Sequence, residues 1–413
     1  MVLKQTMAML VDAYRELNAK KMFWITLVLS ALVVIAIACV GINDKGISVL
    51  WWTFPVDVFN AKIVSPAFFY KLIFINFGFK IWLTWAATIL ALVSTASLIP
   101  DFVAGGSIDL VLSKPIGRLR LFLTKYATGL LFVALQVSVF TTASFLVIGI
   151  RGSVWEPRVF LAIPLVVLFF SFLYCVCALI GLRTRSTIAA LLLTMLFWFL
   201  VFVVHSAEQS LLMFKLNAED RVASIETKAK PLAESIAKQQ SAIQQLSIVP
   251  EREAAESKLE RESQLATAQA SLTGLELRQQ TSTTNLKDYQ NSERLLGRWY
   301  TGVFALKTIL PKTAETMGIL ENSLTSLDEV AKLRNAEEQR REERRAQRRG
   351  NESRPPSRAS DPERDSPEFS SAVAERQQEI IRSRSIWWIL GTSIAFEIVI
   401  LAIACTIFAR RDF

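Results

Sequence analysis

The chain has 413 residues, 52% of them hydrophobic, with 46 basic and 37 acidic side chains and one histidine. Its mean hydropathy of +0.35 excludes an ordinary soluble domain and a disordered polyelectrolyte, and places it in the membrane class. The net charge of +9 does not signal nucleic acid, because the arginines after Leu333 are interspersed with Glu and Asp and form neither a basic face nor a row beside stacking aromatics.

Residues 1–21 carry Leu3, Met7, Leu10, Tyr14 and Leu17 at three- and four-residue spacing, with Lys4, Asp12, Arg15 and Glu16 on the other side. That pattern predicts an amphipathic helix in the plane of the membrane, on its cytoplasmic side. No cleavable signal peptide is expected before the first apolar run. Six runs approach the ~20 apolar residues that cross a bilayer. They are Met22–Val40, Phe79–Ile99 (with a start as early as Leu72), Tyr126–Ile150, Val159–Leu182, Thr187–Val204 and Ile386–Phe408.

Basic residues in short flanking loops orient these runs. Lys4, Arg15, Lys20 and Lys21 precede the first, and Lys114, Arg118, Arg120 and Lys125 follow the second. Arg183 and Arg185 join the fourth and fifth, and Arg410 and Arg411 follow the sixth. With six spans all four groups fall on one side, the cytoplasm, together with both termini. Arg151 and Arg158, after the third run, are a weaker contrary signal. Trp51, Trp52, Trp155, Trp387 and Trp388 then fall at the outer interface, where amphipathic rings belong.

Between the second and third runs lies Ile99-Pro100-Asp101-Phe102-Val103-Ala104-Gly105-Gly106-Ser107-Ile108-Asp109-Leu110-Val111-Leu112-Ser113-Lys114-Pro115-Ile116-Gly117-Arg118. Pro100 ends the run and Gly105-Gly106 permits a tight turn. A short helix around Asp109 and Leu110 then stops at Pro115. Lys114 and Arg118 form a basic exit.

Residues 209–384 are polar. Val222, Ile225, Ala229, Leu232, Ile236, Gln239, Ile243 and Leu246 alternate by three and four, as do Leu265, Ala268, Leu272, Leu275, Gln279, Ser282, Leu286 and Tyr289. Each set is a coiled-coil seam, and Pro250 separates the two. The expectation is an extracytoplasmic antiparallel hairpin whose first arm reaches about 45 Å at 1.5 Å per residue. From Leu295 to Leu327 broken apolar stretches predict short interfacial helices. Residues 334–370 read as a charged helix passing into a disordered linker. Residues 385–413 supply the sixth span and a cytoplasmic tail.

Little points to chemistry. Cys39, Cys175, Cys177 and Cys405 all lie in apolar runs, which suits buried thiols better than disulfides or zinc ligands. His205, the one histidine, reads as an interfacial polar group. No GxxxxGK[ST] loop is present to hold ATP. No catalytic, cofactor-binding or metal-binding residue is expected on the chain. Glu397 lies inside the sixth run, where a charge is costly and faces protein rather than lipid. It reads equally as a pathway or dimer contact and as a hydrogen bond between helices. Lys80 reads as a similar case or as a lysine reaching outward.

At Asp101, Phe102, Gly105, Gly106, Asp109, Leu110, Lys114, Pro115 and Arg118 the chain resembles the membrane subunit of ABC-2 type ABC transporters. The N-terminal amphipathic segment, the short helices before the last span and the ending Phe408-Ala409-Arg410-Arg411-Asp412-Phe413 are similar too. The resemblance covers roughly 1–208 and 295–413. It implies that 101–116 is a coupling helix docking on a separate ABC ATPase, which would hold ATP and Mg. It also implies an inner-membrane homodimer, or a heterodimer with a sister permease, that moves an unknown substrate, in the export direction. The fold expected is an all-α membrane protein of six spans in contact with membrane lipid. The alternative is a membrane-anchored coiled-coil scaffold, or a mechanotransmission protein, acting on an envelope partner through the external hairpin.

Overall fold

The computed structural model describes residues 15, 21–43, 46–55, 65–104, 117–248, 255–324, 339 and 371–410. The amphipathic reading of 1–21 therefore lies outside the described residues, apart from Arg15 and Lys21, and so do Pro250 and most of 334–370. The described chain is overwhelmingly helical. Six helical stretches are long and apolar enough to cross a membrane: Lys21–Cys39, Pro66–Asp101, Arg118–Gly152, Pro157–Thr184, Thr187–Leu246 and Ile386–Arg410.

The first is α1 (Lys21–Cys39). It runs directly into three short antiparallel strands, β1 (Val40–Asn43), β2 (Gly46–Val49) and β3 (Trp52–Pro55), in the order β1-β2-β3. Val40 faces Val49, and Val49 faces Trp52. An all-α expectation omits this sheet. Its strands are four residues each, too short for an alternating pattern to stand out beside a long apolar run.

The second stretch is compound. Ser65 caps α2 (Pro66–Ile73): its hydroxyl accepts from the Phe68 amide at 3.3 Å, and Pro66 takes a first-turn position where no amide is needed. A 14-residue π-helix, Phe74–Ala87, follows. Such helices are normally single turns. The Thr84 and Thr88 hydroxyls donate to the carbonyls five residues back, of Phe79 and Leu83, at 3.0 and 2.9 Å. Then come α3 (Thr88–Thr95) and α4 (Leu98–Ala104).

The remaining elements are α5 (Arg118–Gly152), a 3-10 turn at Pro157–Leu161, α6 (Ala162–Thr184), α7 (Thr187–Leu246), α8 (Ala255–Ile309), α9 (Thr313–Leu324), α10 (Ser371–Arg382) and α11 (Ile386–Arg410). The short interfacial helices expected after Leu295 are absent as far as Ile309: Trp299, Tyr300 and Phe304 belong to the uninterrupted α8. Nothing in that stretch breaks a helix until Pro311, after which α9 begins.

The described chain forms two compact units. One comprises Met1–Val203, Lys307–Ser360 and Arg384–Phe413, and the other Val204–Leu306 and Asp361–Ser383. In the first, α6 is central: 78% of its most apolar window is buried, against 28% for α1 and 17% for α11. It packs on α5, α9 and α11, while α1 packs on α5 and the π-helix. Phe74, Phe79, Phe140, Phe169, Phe170, Phe172 and Tyr174 are fully buried there. The outer helices show the opposite character. Val28, Leu32 and Ile35 of α1, and Ile188, Leu192, Leu196 and Phe199 of α7, are all exposed, as suits a hydrocarbon solvent.

The second unit pairs the polar part of α7 with α8, and α10 packs at the base. Gln239 Nε2 donates to Ser271 Oγ at 2.6 Å, Arg221 Nη1 to Tyr289 OH at 2.9 Å, and Arg261 Nη1 to the Leu246 carbonyl at 3.1 Å. As one residue number rises its partner's falls, so the arms run antiparallel. A small core of Leu212, Leu216 and Val373, with Tyr300, Ile380 and Ile381, ties α10 to both arms. Gln377 Nε2 donates to the Gln209 carbonyl at 2.9 Å, and Arg376 pairs with Glu219 at 3.4 Å.

Candidate functional site

The residues singled out from the sequence fall in three places. The first is the segment 101–118. Its entry is α4, whose Leu98, Ile99 and Pro100 are buried while Asp101 is exposed. The anchoring has a clear cause. Gly181 of α6 lacks a side chain, and a Cβ there would stand 3.0 Å from Pro100 Cγ, so the Pro100 ring of α4 lies directly on the α6 backbone. Phe102 continues α4. Gly105, Gly106, Asp109, Leu110, Lys114 and Pro115 lie outside the described residues. The exit is Arg118, the first residue of α5. Its Nη1 donates to the Ala409 carbonyl of α11 at 3.4 Å, a cation at a helix C-terminus. Phe122 packs against Phe408 below it, with ring centroids 5.5 Å apart. Both ends of the segment are thus seated on the helix bundle.

The second place is Glu397, on α11. Tyr126 OH of α5 donates to its Oε1 at 2.8 Å, and Ser171 Oγ of α6 donates to its Oε2, also at 2.8 Å. No lysine or arginine pairs with it among the described residues. Each hydroxyl has a second acceptor in reach: the Ser171 carbonyl lies 3.1 Å from Tyr126 OH, and the Leu168 carbonyl 2.8 Å from Ser171 Oγ. Tyr174 stacks on Tyr126 at 5.1 Å and 12°. Gly129 makes room for that ring, since a Cβ there would meet Tyr174 Cε1 at 2.6 Å. One carboxyl group therefore joins α5, α6 and α11 inside the apolar layer. Lys80 is resolved differently: its Nζ pairs with Glu321 of α9 at 2.8 Å, with both side chains well exposed.

The third place is the seam of the hairpin. On α7, Ile225, Leu232 and Ile243 are half-buried and Ile236 is buried. On α8, Leu265, Leu272, Leu275 and Leu286 are half-buried and Ala268 is buried, with exposed residues between them. Ala229 and Gln279, read as seam positions, are exposed. The polar seam residue Gln239 spans the two arms through Ser271 and the Ala268 carbonyl.

A fourth group was not singled out from the sequence. Lys307, Glu315 and Arg384 form a buried charge cluster. Lys307 Nζ and Arg384 Nη1 both pair with Glu315 Oε1, Arg384 at 3.3 Å. Beside them Lys312 is 1% exposed. Its Nζ donates to Thr392 Oγ1 at 2.5 Å and to the Thr308 carbonyl at 3.2 Å, and lies 4.4 Å from the Trp388 ring centre. Burial pushes the Lys312 amine down to about 8, and the positive charges of Lys307 and Arg384 act in the same direction against Glu315. The available signal was weak: basic residues beside Pro311 and before Trp387-Trp388, at the edge of an apolar run.

No family model, curated protein or solved structure matches this chain.

Proposed function

We propose that the chain is the membrane-spanning permease subunit of an ABC transporter, which couples ATP hydrolysis on a separate polypeptide to movement of its own helices. The observation that carries this reading is the junction at Pro100–Asp101. Leu98 to Pro100 are packed on α6 while Asp101 is presented outward, at the head of the string that resembles a coupling helix. A push on 101–116 would reach α6, the most buried of the long apolar helices, and through Arg118 the end of α11. The missing phosphate loop supports a two-polypeptide arrangement, with ATP and Mg on the partner. The basic-residue pattern supports an inner-membrane, multi-pass chain with both termini and 101–116 in the cytoplasm. Two copies, or one copy and a sister permease, would enclose the pathway. Export is the direction the resemblance implies.

A photo-crosslinking residue at Asp101 tests the contact. It should give an adduct with a nucleotide-binding polypeptide in native membranes. Adducts only with lipid, or with this chain itself, would argue against it.

One observation favours a variant of this reading. α7 carries both an apolar run and a hairpin arm in 60 residues of unbroken helix, continuing through Pro231. Transmission of motion to an extracytoplasmic partner through that helix is the second reading. A passive scaffold would need neither the continuous helix nor the anchored α4.

A further inference from the structure

An apolar groove of about 630 Å³ lies between α1 and the π-helix. Leu32, Ala36 and Val40 form one wall, and Ile73, Phe77 and Trp82 the other. The side-chain donors along it are already committed. The Asn76 amide donates to the Leu72 carbonyl at 2.9 Å, and the Trp82 indole to Ser30 Oγ at 3.1 Å. At one end the groove meets the β-sheet through Ile47. There Trp51 and Trp52 are 86% and 74% exposed, as befits rings at a headgroup layer.

Two features say what fits. The first is length. From Leu32 to Cys39, the end of α1, is seven helical steps, about 10 Å at 1.5 Å per residue, and Val40 of β1 extends that wall toward the ~15 Å that is half of a bilayer's hydrocarbon thickness. The second is charge at the mouth. Arg151 is exposed, and its Nε donates to Tyr70 OH at 3.1 Å. Tyr70 OH donates in turn to the carbonyl of Val40, a groove residue, at 2.9 Å. Arg151 Nη2 lies 3.1 Å from where a Cβ on Gly41 would stand. No carboxylate pairs with Arg151 among the described residues. A guanidinium fork suits a phosphate.

We propose that this groove binds one phospholipid of the leaflet on the sheet's side, with an acyl chain along the α1/π-helix walls and the phosphate on Arg151. The site requires that α1 and the Pro66–Asp101 helix cross a membrane. It does not depend on transport or on an ATPase.

Native mass spectrometry of the full chain in mild detergent, with added dioleoyl phosphatidylglycerol, reads the site. Wild type should retain one lipid, and so should the control Ile35→Trp, which changes an exposed α1 residue beside the groove. Ala36→Trp fills the groove and should weaken retention about tenfold, equivalent to ~1.4 kcal/mol. Arg151→Gln should fold normally and lose the preference for phosphatidylglycerol over dioleoylglycerol, which has the same chains but no phosphate. Equal retention by wild type and Ala36→Trp overturns the proposal, as does an unchanged headgroup preference in Arg151→Gln. If Ala36→Trp does not fold, the Arg151→Gln comparison decides alone. A disulfide dimer formed in membranes through Phe77→Cys would assign the groove to a second copy of the chain and also overturn the proposal.

Discussion

Glu397 shows how a carboxyl group can be tolerated between apolar helices: two hydroxyl donors at 2.8 Å replace water. Because Tyr126 and Ser171 each keep another acceptor, Glu397→Ala leaves no stranded donor. It should cost only about 1 kcal/mol, the net worth of an ordinary hydrogen bond. Gly129→Val should cost more, about 1–3 kcal/mol, because its side chain displaces the Tyr174 ring. Thermal unfolding in detergent ranks the two, and a larger loss in Glu397→Ala would contradict this picture. Lys312 gives a pH dependence. Its folded value of about 8 lies below its ordinary 10.5, so the unfolded chain binds the extra proton between those values and folding gains stability as pH rises through that window. The melting temperature of wild type relative to Lys312→Met should therefore increase from pH 7.5 to 10. A flat or falling difference would refute the assigned cause.

At the scale of elements, long apolar runs were legible because twenty consecutive apolar residues have few alternatives to a helix. Along the hairpin the apolar period falls on half-buried positions such as Ile225 and Leu272, while Ala229 and Gln279 of the same reading are exposed. The β-sheet and the π-helix were not. Four-residue strands carry almost no periodicity, and a π-helix is built from the same apolar residues as an α-helix, so no local pattern separates the two. The charge cluster was hidden for another reason: Lys307, Glu315 and Arg384 are brought together by tertiary packing, and the basic residues near Pro311 and Trp387 mark it only faintly. The seam supports a prediction of its own. Ile236 is buried, at 8% exposure, and Ile236→Asp would bury an unpaired charge in the seam. Limited proteolysis of the full chain should cut the hairpin about tenfold faster in that variant, since cleavage follows the open population. Lys238→Asp, on the exposed side, should leave the rate unchanged. Equal rates in the two variants would mean that the arms do not depend on each other.

At the scale of the molecule, topology comes before mechanism. Cysteines introduced at Ser241 and Ser107 should divide between the two sides of the membrane, with an impermeant thiol reagent added outside reaching Ser241→Cys only. Labelling of both would end the six-span arrangement. The central claim is that this chain transmits the work of a separate ATPase. Its most direct measurement is ATP hydrolysis by the complex purified from native membranes through a tag on this chain. Hydrolysis should co-purify with wild type and fall sharply in Asp109→Lys, while the variant inserts in the membrane at normal levels. A wild-type chain that purifies without any ATPase activity, or an Asp109→Lys complex as active as wild type, would contradict it.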